Sequence, residues 1–87
     1  MQKYIKTYLD YFGYSVGDFI PSELSGGQAV DIHHIQPRGR GGKDNIENLI
    51  ALTREEHDKA HEYILKEEYL KEKHINFIKQ NENSSNR

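Results

Sequence analysis

The sequence predicts a small α+β domain with two short strands and a helix at its centre, and with one further helix on either side. Three observations lead to this prediction. Apolar residues near both ends of the chain recur at helical spacing. Two largely apolar runs, at 29–35 and 47–52, are typical of strands. A threonine and a glutamate, spaced as in a helix cap, follow the second run.

The N-terminal helix is expected over residues 2–12, which read QKYIKTYLDYF. Its apolar side chains fall at positions i, i+3, i+4 and i+7, so they share one face of a helix. These are Ile5, Tyr8, Leu9 and Phe12. Gly13 follows them and should end the helix. Residues 13–28 are rich in glycine, serine and proline and therefore predict a loop.

The two strands are expected to form a hairpin. The first covers residues 29–35, AVDIHHI, and Pro37 should stop it because proline has no amide proton to donate. The segment PRGRGGKDN follows and predicts an irregular loop. The run ENLIAL then predicts the second strand, so the hairpin has a long loop.

The central helix should begin at about Arg54, because Thr53 followed by Glu56 predicts a capping box. One stripe of this helix holds two histidines and two apolar residues, and we expect it to face the body of the domain. Its members are His57, Ala60, His61 and Ile64.

Beyond this stripe the chain stays amphipathic to about residue 80. Either the helix continues unbroken to that point, or it breaks near residues 66–68. The polar segment NENSSNR, residues 81–87, is expected to be disordered. We therefore expect one domain over residues 1–80, with the strand–strand–helix core at about 29–65.

Composition excludes several classes of protein. The chain has no cysteine, which excludes disulfides and thiolate metal sites. No apolar run approaches the roughly 20 residues that a membrane span needs, and the start of the chain does not resemble a signal peptide. We therefore expect a cytoplasmic protein without a membrane partner.

The basic side chains are concentrated around the hairpin loop. Residues 36–54 carry four basic against two acidic side chains, whereas residues 55–82 carry eight acidic against five basic ones. A basic loop beside an acidic helical segment could present one face to an anion. An ordinary solvated loop would explain the same charges equally well.

Four of the five histidines lie between residues 30 and 61. His57 and His61 are four residues apart, so on a helix they can grip one metal ion, although two solvated histidines would have the same spacing. His33 and His34 are adjacent on the first strand, where neighbouring side chains point to opposite faces. One of them can complete a metal site, and the other can act as a general base near it.

The spacing of these residues resembles that of the HNH nuclease motif, the ββα-metal finger. The resemblance covers residues 29 to about 65 and rests on DIHHI with Pro37, on GGKDNIENL and on REEHDKAH. The arrangement of three histidines is most similar to the nuclease domains of DNase colicins. The loop is more similar to small phage and prophage HNH proteins.

The resemblance implies a ββα-metal core and a role for each matching residue. His34 matches the general base that activates water, and Asn48 matches the asparagine that ties the long loop together and helps to hold the base. The matching metal ligands are His33, His57 and His61. The implied cofactor is one divalent ion, with Zn²⁺, Ni²⁺, Co²⁺, Mn²⁺ and Mg²⁺ all open.

The implied function is that of a metal-dependent DNA endonuclease, with Arg38, Arg40 and Lys43 on phosphates of the DNA. Two other functions stay open. The chain could be a non-catalytic DNA-binding or metal-stabilised interaction module, or the nuclease subunit of a larger phage DNA-processing complex. Partners other than DNA would then be a second copy of the chain or the other members of that complex.

Four positions outside the matched roles carry expectations of their own. Many small HNH proteins of this type have a Cys-x-x-Cys before the first strand, where this chain has Ser22 and Ser25. Either this branch of the family lacks that second metal site, or the two serines replace a cysteine pair. The first and last helices must then supply the packing that a second metal would give. Asp31 shares a strand face with His33 and could orient that imidazole, or it could be an ordinary edge-strand charge. His74 is expected to be a surface residue.

Overall fold

A computed structural model describes the backbone of residues 1–85 and the side chains as far as residue 81. The elements in chain order are α1 (Lys3–Phe12), β1 (Asp31–His34), β2 (Leu49–Leu52), α2 (Arg54–His61) and α3 (Glu67–Ser85). Two short 3₁₀ turns, Arg38–Arg40 and Ile46–Asn48, lie in the hairpin loop. The predicted fold class is therefore confirmed: a ββα core is flanked by an N-terminal and a C-terminal helix.

The two strands form an antiparallel sheet in which His33 lies opposite Ile50 and His34 lies opposite Leu49. Every residue of β2 is buried, because both faces of the sheet are covered. On one face, Ile50 and Leu52 pack with residues of α2 and α3. On the other face, alternate residues of β2 pack against α1. The two histidines of β1 therefore start from opposite sides of the sheet.

Helix α2 begins as predicted and ends earlier than its apolar stripe. The Thr53 hydroxyl accepts from the Glu56 amide at 3.2 Å, and the Glu56 carboxylate accepts from the Thr53 amide at 2.9 Å, which completes the capping box. The helix stops at His61, so Ile64 lies outside it and is exposed. The expectation that Ile64 shares a buried stripe with the histidines is therefore wrong.

Helix α3 begins at Glu67, so the break between α2 and α3 covers residues 62–66 and reaches the edge of the predicted 66–68 stretch. The helix continues through 81–85, which differs from the disorder expected from residue 81 onward, whereas residues 86 and 87 lie outside the described residues. Within residues 1–85, no helix combines the length and the apolar composition needed to cross a membrane.

The expectation that His74 is a surface residue is wrong, because its side chain is fully buried. His74 Nδ1 lies 2.7 Å from the buried Glu23 carboxylate, and His74 Nε2 lies 2.5 Å from the carbonyl oxygen of Ile46. The Tyr8 hydroxyl donates to the same carboxylate at 2.6 Å. This polar network joins α1, the 13–28 loop, the hairpin loop and α3.

Ser22 holds the loop before β1 by hydrogen bonds. Its buried hydroxyl donates to Glu56 at 2.6 Å and accepts from the amides of Leu24 and Ser25 at 3.0 and 3.2 Å. Burial by itself would raise the pKa of Glu56, but the hydrogen bonds from Ser22 and Thr53 outweigh it and lower the pKa. The loop is thereby fixed to the start of α2 without thiolate ligands.

Candidate active site

Three histidines meet at one side of the ββα core. His33 comes from β1, and His57 and His61 come from successive turns of α2. One ligand atom from each lies within 4.8 Å of the other two, and the Nε2 atoms of His57 and His61 are 3.1 Å apart. The ring centroids are separated by 4.5–5.6 Å. The strand and the helix thus bring together the three residues that the sequence analysis assigned as ligands.

The donor set suits a divalent transition ion, because neutral imidazole is a common ligand for such ions. Burial, together with the neighbouring imidazoles, lowers the pKa of His33 to about 4, so His33 is neutral at neutral pH. The side chain of His57 is only 18% exposed, whereas His61 is exposed. The site therefore opens to solvent on the His61 side.

Asp31 lies behind the cluster, but against a different histidine from the expected one. Its Oδ2 atom is 3.0 Å from Nδ1 of His57 and 3.3 Å from the guanidinium of Arg54. Asp31 Oδ2 and His57 Nδ1 are both buried, and neither has a hydrogen-bond partner among the described residues, so this contact is an ion-pair distance only. Histidines that bind a metal through one ring nitrogen usually have a carboxylate next to the other ring nitrogen, and this carboxylate orients the ring. Asp31 is therefore suited to orient His57 rather than His33.

His34 points away from the three-histidine cluster, although both line the same cleft of about 330 Å³. Its Nε2 atom lies 2.7 Å from Oδ1 of Asp44, and its ring packs on Tyr4 at a centroid distance of 4.6 Å. The hydrogen bond from His34, with help from Arg38, lowers the pKa of Asp44, so this carboxylate is ionised and can only accept. His34 must then donate from Nε2, which leaves Nδ1 as its acceptor when the ring is neutral.

Asn48 closes the long hairpin loop. Its side-chain oxygen accepts from the Gln36 amide at 2.7 Å, and its side-chain nitrogen donates to the carbonyls of Gln36 and Lys43, both at 3.0 Å. The loop passes so close to itself here that a β-carbon on Gly42 would overlap the Gln36 carbonyl. Gly42 is therefore needed by the loop itself, whatever the loop binds.

The predicted phosphate-binding residues lie on this loop, but two of them already have acidic partners. Arg38 makes two contacts of 3.1 Å with Asp44, and its guanidinium lies 5.3 Å from the centre of the Tyr4 ring. Arg40 pairs with Glu67 at the start of α3. Lys43 has no ion pair within the described part of the chain. All three are exposed, and an arginine with one carboxylate partner keeps further donors.

Comparison with known protein families gives one match that decides the family. The model of the HNH endonuclease family matches residues 19–62, which is half of the 87-residue chain. The chain belongs to the HNH endonuclease family. The matched region contains the hairpin, its loop and α2, and thus the four histidines that line the cleft.

A relative of this HNH protein comes from Enterobacteria phage T4, where it is called "Probable mobile endonuclease C". The two are 44% identical over 36 residues, which is 41% of this chain. The chain spans only 17% of the length of the T4 protein. No solved structure matches the chain significantly. The likeness to phage nucleases that the sequence analysis noted is confirmed.

Two residues of the HNH site were missed by the sequence analysis. Asp44 lies inside the quoted GGKDN segment, and its position ten residues after His34 gave no sign that the two meet. Tyr4 belongs to α1, outside the matched region, and only the tertiary packing of α1 brings it onto His34. A carboxylate in a basic loop was the available signal for Asp44. The sequence contained none for Tyr4.

Proposed function

We propose that this HNH protein is a metal-dependent DNA endonuclease that hydrolyses phosphodiester bonds with His34 as the general base. The observation that carries the proposal is the presence, in one cleft, of a three-histidine cluster and a fourth histidine held separately. A module that only binds metal or DNA has no need of the fourth. Nuclease function at the level of the family supports the same reading.

The ligands in this proposal are His33, His57 and His61, with Asp31 behind His57. One divalent ion held there would offset the negative charge that develops on the phosphoryl oxygens and on the leaving 3′ oxygen. The ion itself is open among Zn²⁺, Ni²⁺, Co²⁺, Mn²⁺ and Mg²⁺.

His34 takes the proton of the attacking water in this proposal. Asp44 accepts from Nε2 of His34, so the unprotonated Nδ1 is the atom that receives the proton. Tyr4 packs on the ring and limits its rotation. Asn48 keeps the loop that carries Asp44 in place through its three hydrogen bonds. Arg38, Arg40 and Lys43 are proposed to meet phosphates on either side of the cut.

The test is a plasmid-nicking assay in which supercoiled DNA is incubated with the protein and one divalent ion at a time. We expect nicked or linear DNA with at least one ion and none when a chelator is added. No cleavage with any of the five ions, by a protein that binds DNA, would favour the non-catalytic alternative.

The biological setting of this activity is also a proposal. The phage relative supports a role in phage DNA processing inside the host cytoplasm. The chain would act there alone, as a homodimer, or within a larger complex. Size-exclusion chromatography of the protein with and without DNA would distinguish the first two.

A further inference from the structure

The segment that follows α2 contains a strained tyrosine. Two backbone hydrogen bonds close the end of α2. The Tyr63 amide donates to the Ala60 carbonyl at 3.1 Å, and the Ile64 amide donates to the Lys59 carbonyl at 2.9 Å. This pattern places Tyr63 at the position where helices favour glycine, because the backbone there is left-handed. Its φ angle is +59°, and within residues 1–85 no other residue except glycine has a positive φ. A side chain with a β-carbon disfavours this conformation.

The side chain of Tyr63 is not held in place by the fold. It is 65% exposed, and within the described residues its side chain makes no hydrogen bond or ring contact. It nevertheless lines the cleft that holds His57 and His61. A strained backbone that exposes an aromatic ring beside a reactive site is the kind of feature that function, rather than stability, maintains.

We propose that Tyr63 stacks on the face of an unpaired nucleobase next to the scissile phosphate, and that the protein therefore prefers DNA with an unstacked base near the cut. This inference rests on the proposed nuclease function, because it assumes that a DNA phosphate reaches the histidines. Exposed aromatic rings bind single-stranded nucleic acid by stacking on bases, with little dependence on sequence.

The preference for an unpaired base follows from geometry. In an intact duplex the face of each base is covered by its neighbours, and only the edges of the bases are accessible in the grooves. A ring that projects from the wall of the cleft can reach a base face only where stacking is already interrupted. A mismatch, a bulge or a gap supplies such a base at little energetic cost.

The test compares cleavage of a duplex that contains one bulged base with cleavage of the matching perfect duplex. For the wild type we expect the bulged substrate to be cut faster. Tyr63→Gly should lose most of this preference, by about 5- to 150-fold, which is the usual effect of losing one base–aromatic stack. Tyr63→Phe should keep the preference, because phenylalanine retains the ring.

The melting temperature of Tyr63→Gly is a second measurement, and it should rise while the substrate preference falls. Since glycine suits the left-handed position, Tyr63→Gly should melt at a higher temperature than the wild type while it loses the preference. A purely structural role for Tyr63 would move stability and activity in the same direction. Tyr63→Asn, which also tolerates this backbone, gives an independent check, and calorimetry with Zn²⁺ verifies that the histidine cluster is intact.

The matched control is Ile64→Ala. Ile64 follows Tyr63 directly and is 61% exposed, but it does not line the cleft, so its loss should leave the preference unchanged. If the wild type cuts both substrates equally, or if Tyr63→Gly keeps the preference, the stacking proposal is wrong and the nuclease proposal stands. If the wild type cuts neither substrate with any ion, both proposals fail.

Discussion

Adjacent histidines in β1 have different surroundings, which suits the two different roles proposed for them. His33 faces the other two histidines of the cluster, whereas His34 faces Asp44 and Tyr4. We expect His34→Ala to keep the fold and the affinity for metal, and to lose roughly 10²- to 10⁴-fold in the rate of DNA cleavage, the usual share of a general base. The rate is measured on plasmid under single-turnover conditions.

The comparison variant for His34→Ala is His57→Ala, which removes one member of the cluster. It should lose metal binding and cleavage together, as measured by calorimetry and by plasmid nicking. Wild-type cleavage by His34→Ala would contradict the role of His34 and would favour the binding-module alternative.

Asp44 is expected to act through the protons of His34. Asp44→Asn keeps the size of the side chain, but its amide can donate to Nε2 of His34 and so move the ring proton to Nδ1, where the acceptor should be. Cleavage should then fall toward the level of His34→Ala, with metal affinity unchanged. The ¹⁵N chemical shifts of the His34 ring report the tautomer directly.

The control for Asp44→Asn is Glu47→Gln, because Glu47 is an exposed carboxylate of the same loop. This variant should cleave at the wild-type rate. An unchanged tautomer together with an unchanged rate in Asp44→Asn would mean that Asp44 serves only the fold of the loop.

Single residues were predictable where a motif fixed their spacing, and unpredictable where tertiary contacts decide. The spacing of His57 and His61 placed both on one side of α2, and the structure brings His33 to them. His74 was misjudged because it lies in the C-terminal helix, away from the motif that the other four histidines share. Its partners, Glu23 and the Ile46 carbonyl, are distant in sequence. Asp31 was expected either to orient His33 or to be an edge-strand charge, and the structure instead places its carboxylate 3.0 Å from His57.

Among the elements, the hairpin loop depends most clearly on one side chain. Asn48→Ala removes three hydrogen bonds, each of which contributes about 1 kcal/mol to stability. We expect the loop to loosen and cleavage to fall, while the three histidines still bind metal because none of them lies on the loop. Cleavage and metal affinity are measured on the same preparation.

Asn45→Ala is the matched control for this variant. Asn45 is an exposed asparagine of the same loop whose side chain does not cap the following 3₁₀ turn. Equal cleavage by the two variants would show that the hydrogen bonds of Asn48 are not what keeps the site active.

Helix α3 is attached to the core by the apolar contacts of Leu70 and by the buried polar contacts of His74. His74→Ala would leave the buried Glu23 carboxylate and the Ile46 carbonyl without this partner. Breaking a buried pair in this way costs about 3–5 kcal/mol of the free energy of unfolding. Urea denaturation followed by circular dichroism measures the loss. Asn76→Ala, at an exposed position of the same helix, should change stability by less than about 0.5 kcal/mol.

The elements themselves were largely predictable, because short-range signals control them. The capping box at Thr53 fixed the start of α2, and the helical spacing in residues 2–12 gave α1 within one residue. The end of α2 was not predictable, since Tyr63 takes a left-handed conformation that sequence signals associate with glycine. For this reason Ile64 was expected on the stripe of α2 that faces the domain, whereas it lies beyond the helix and is exposed.

For the molecule as a whole, metal binding and folding should be linked. An ion that binds only the folded protein stabilises it by about 2.7 kcal/mol when its free concentration is one hundred times Kd. For a domain of this size we expect Zn²⁺ to raise Tm by roughly 10–20 °C. Differential scanning calorimetry measures the shift, which should be absent from His57→Ala. An unchanged Tm in the wild type would argue against a metal site at the three histidines.

The core of this small domain is divided between the two faces of one sheet, with α1 on one face and α2 and α3 on the other. Sequence periodicity predicted the helices but not which face each would cover. For the loop before β1, the sequence showed only that serines stand where related proteins often have a cysteine pair, and it did not predict what holds the loop. The Ser22 hydroxyl holds the loop at that place instead, by donating to Glu56 and accepting from the amides of Leu24 and Ser25.

The bridge that Asn48 makes across the hairpin loop has a consequence for the entropy of assembling the site. All three histidines of the cluster lie within residues 33–61, and the main obstacle to their meeting in an unfolded chain is closure of the intervening loop. The Asn48 side chain hydrogen-bonds to the backbone of both Gln36 and Lys43, and so divides this loop into shorter segments with a fixed conformation. Much of the ordering is then complete before any ligand arrives, so binding would not have to supply it.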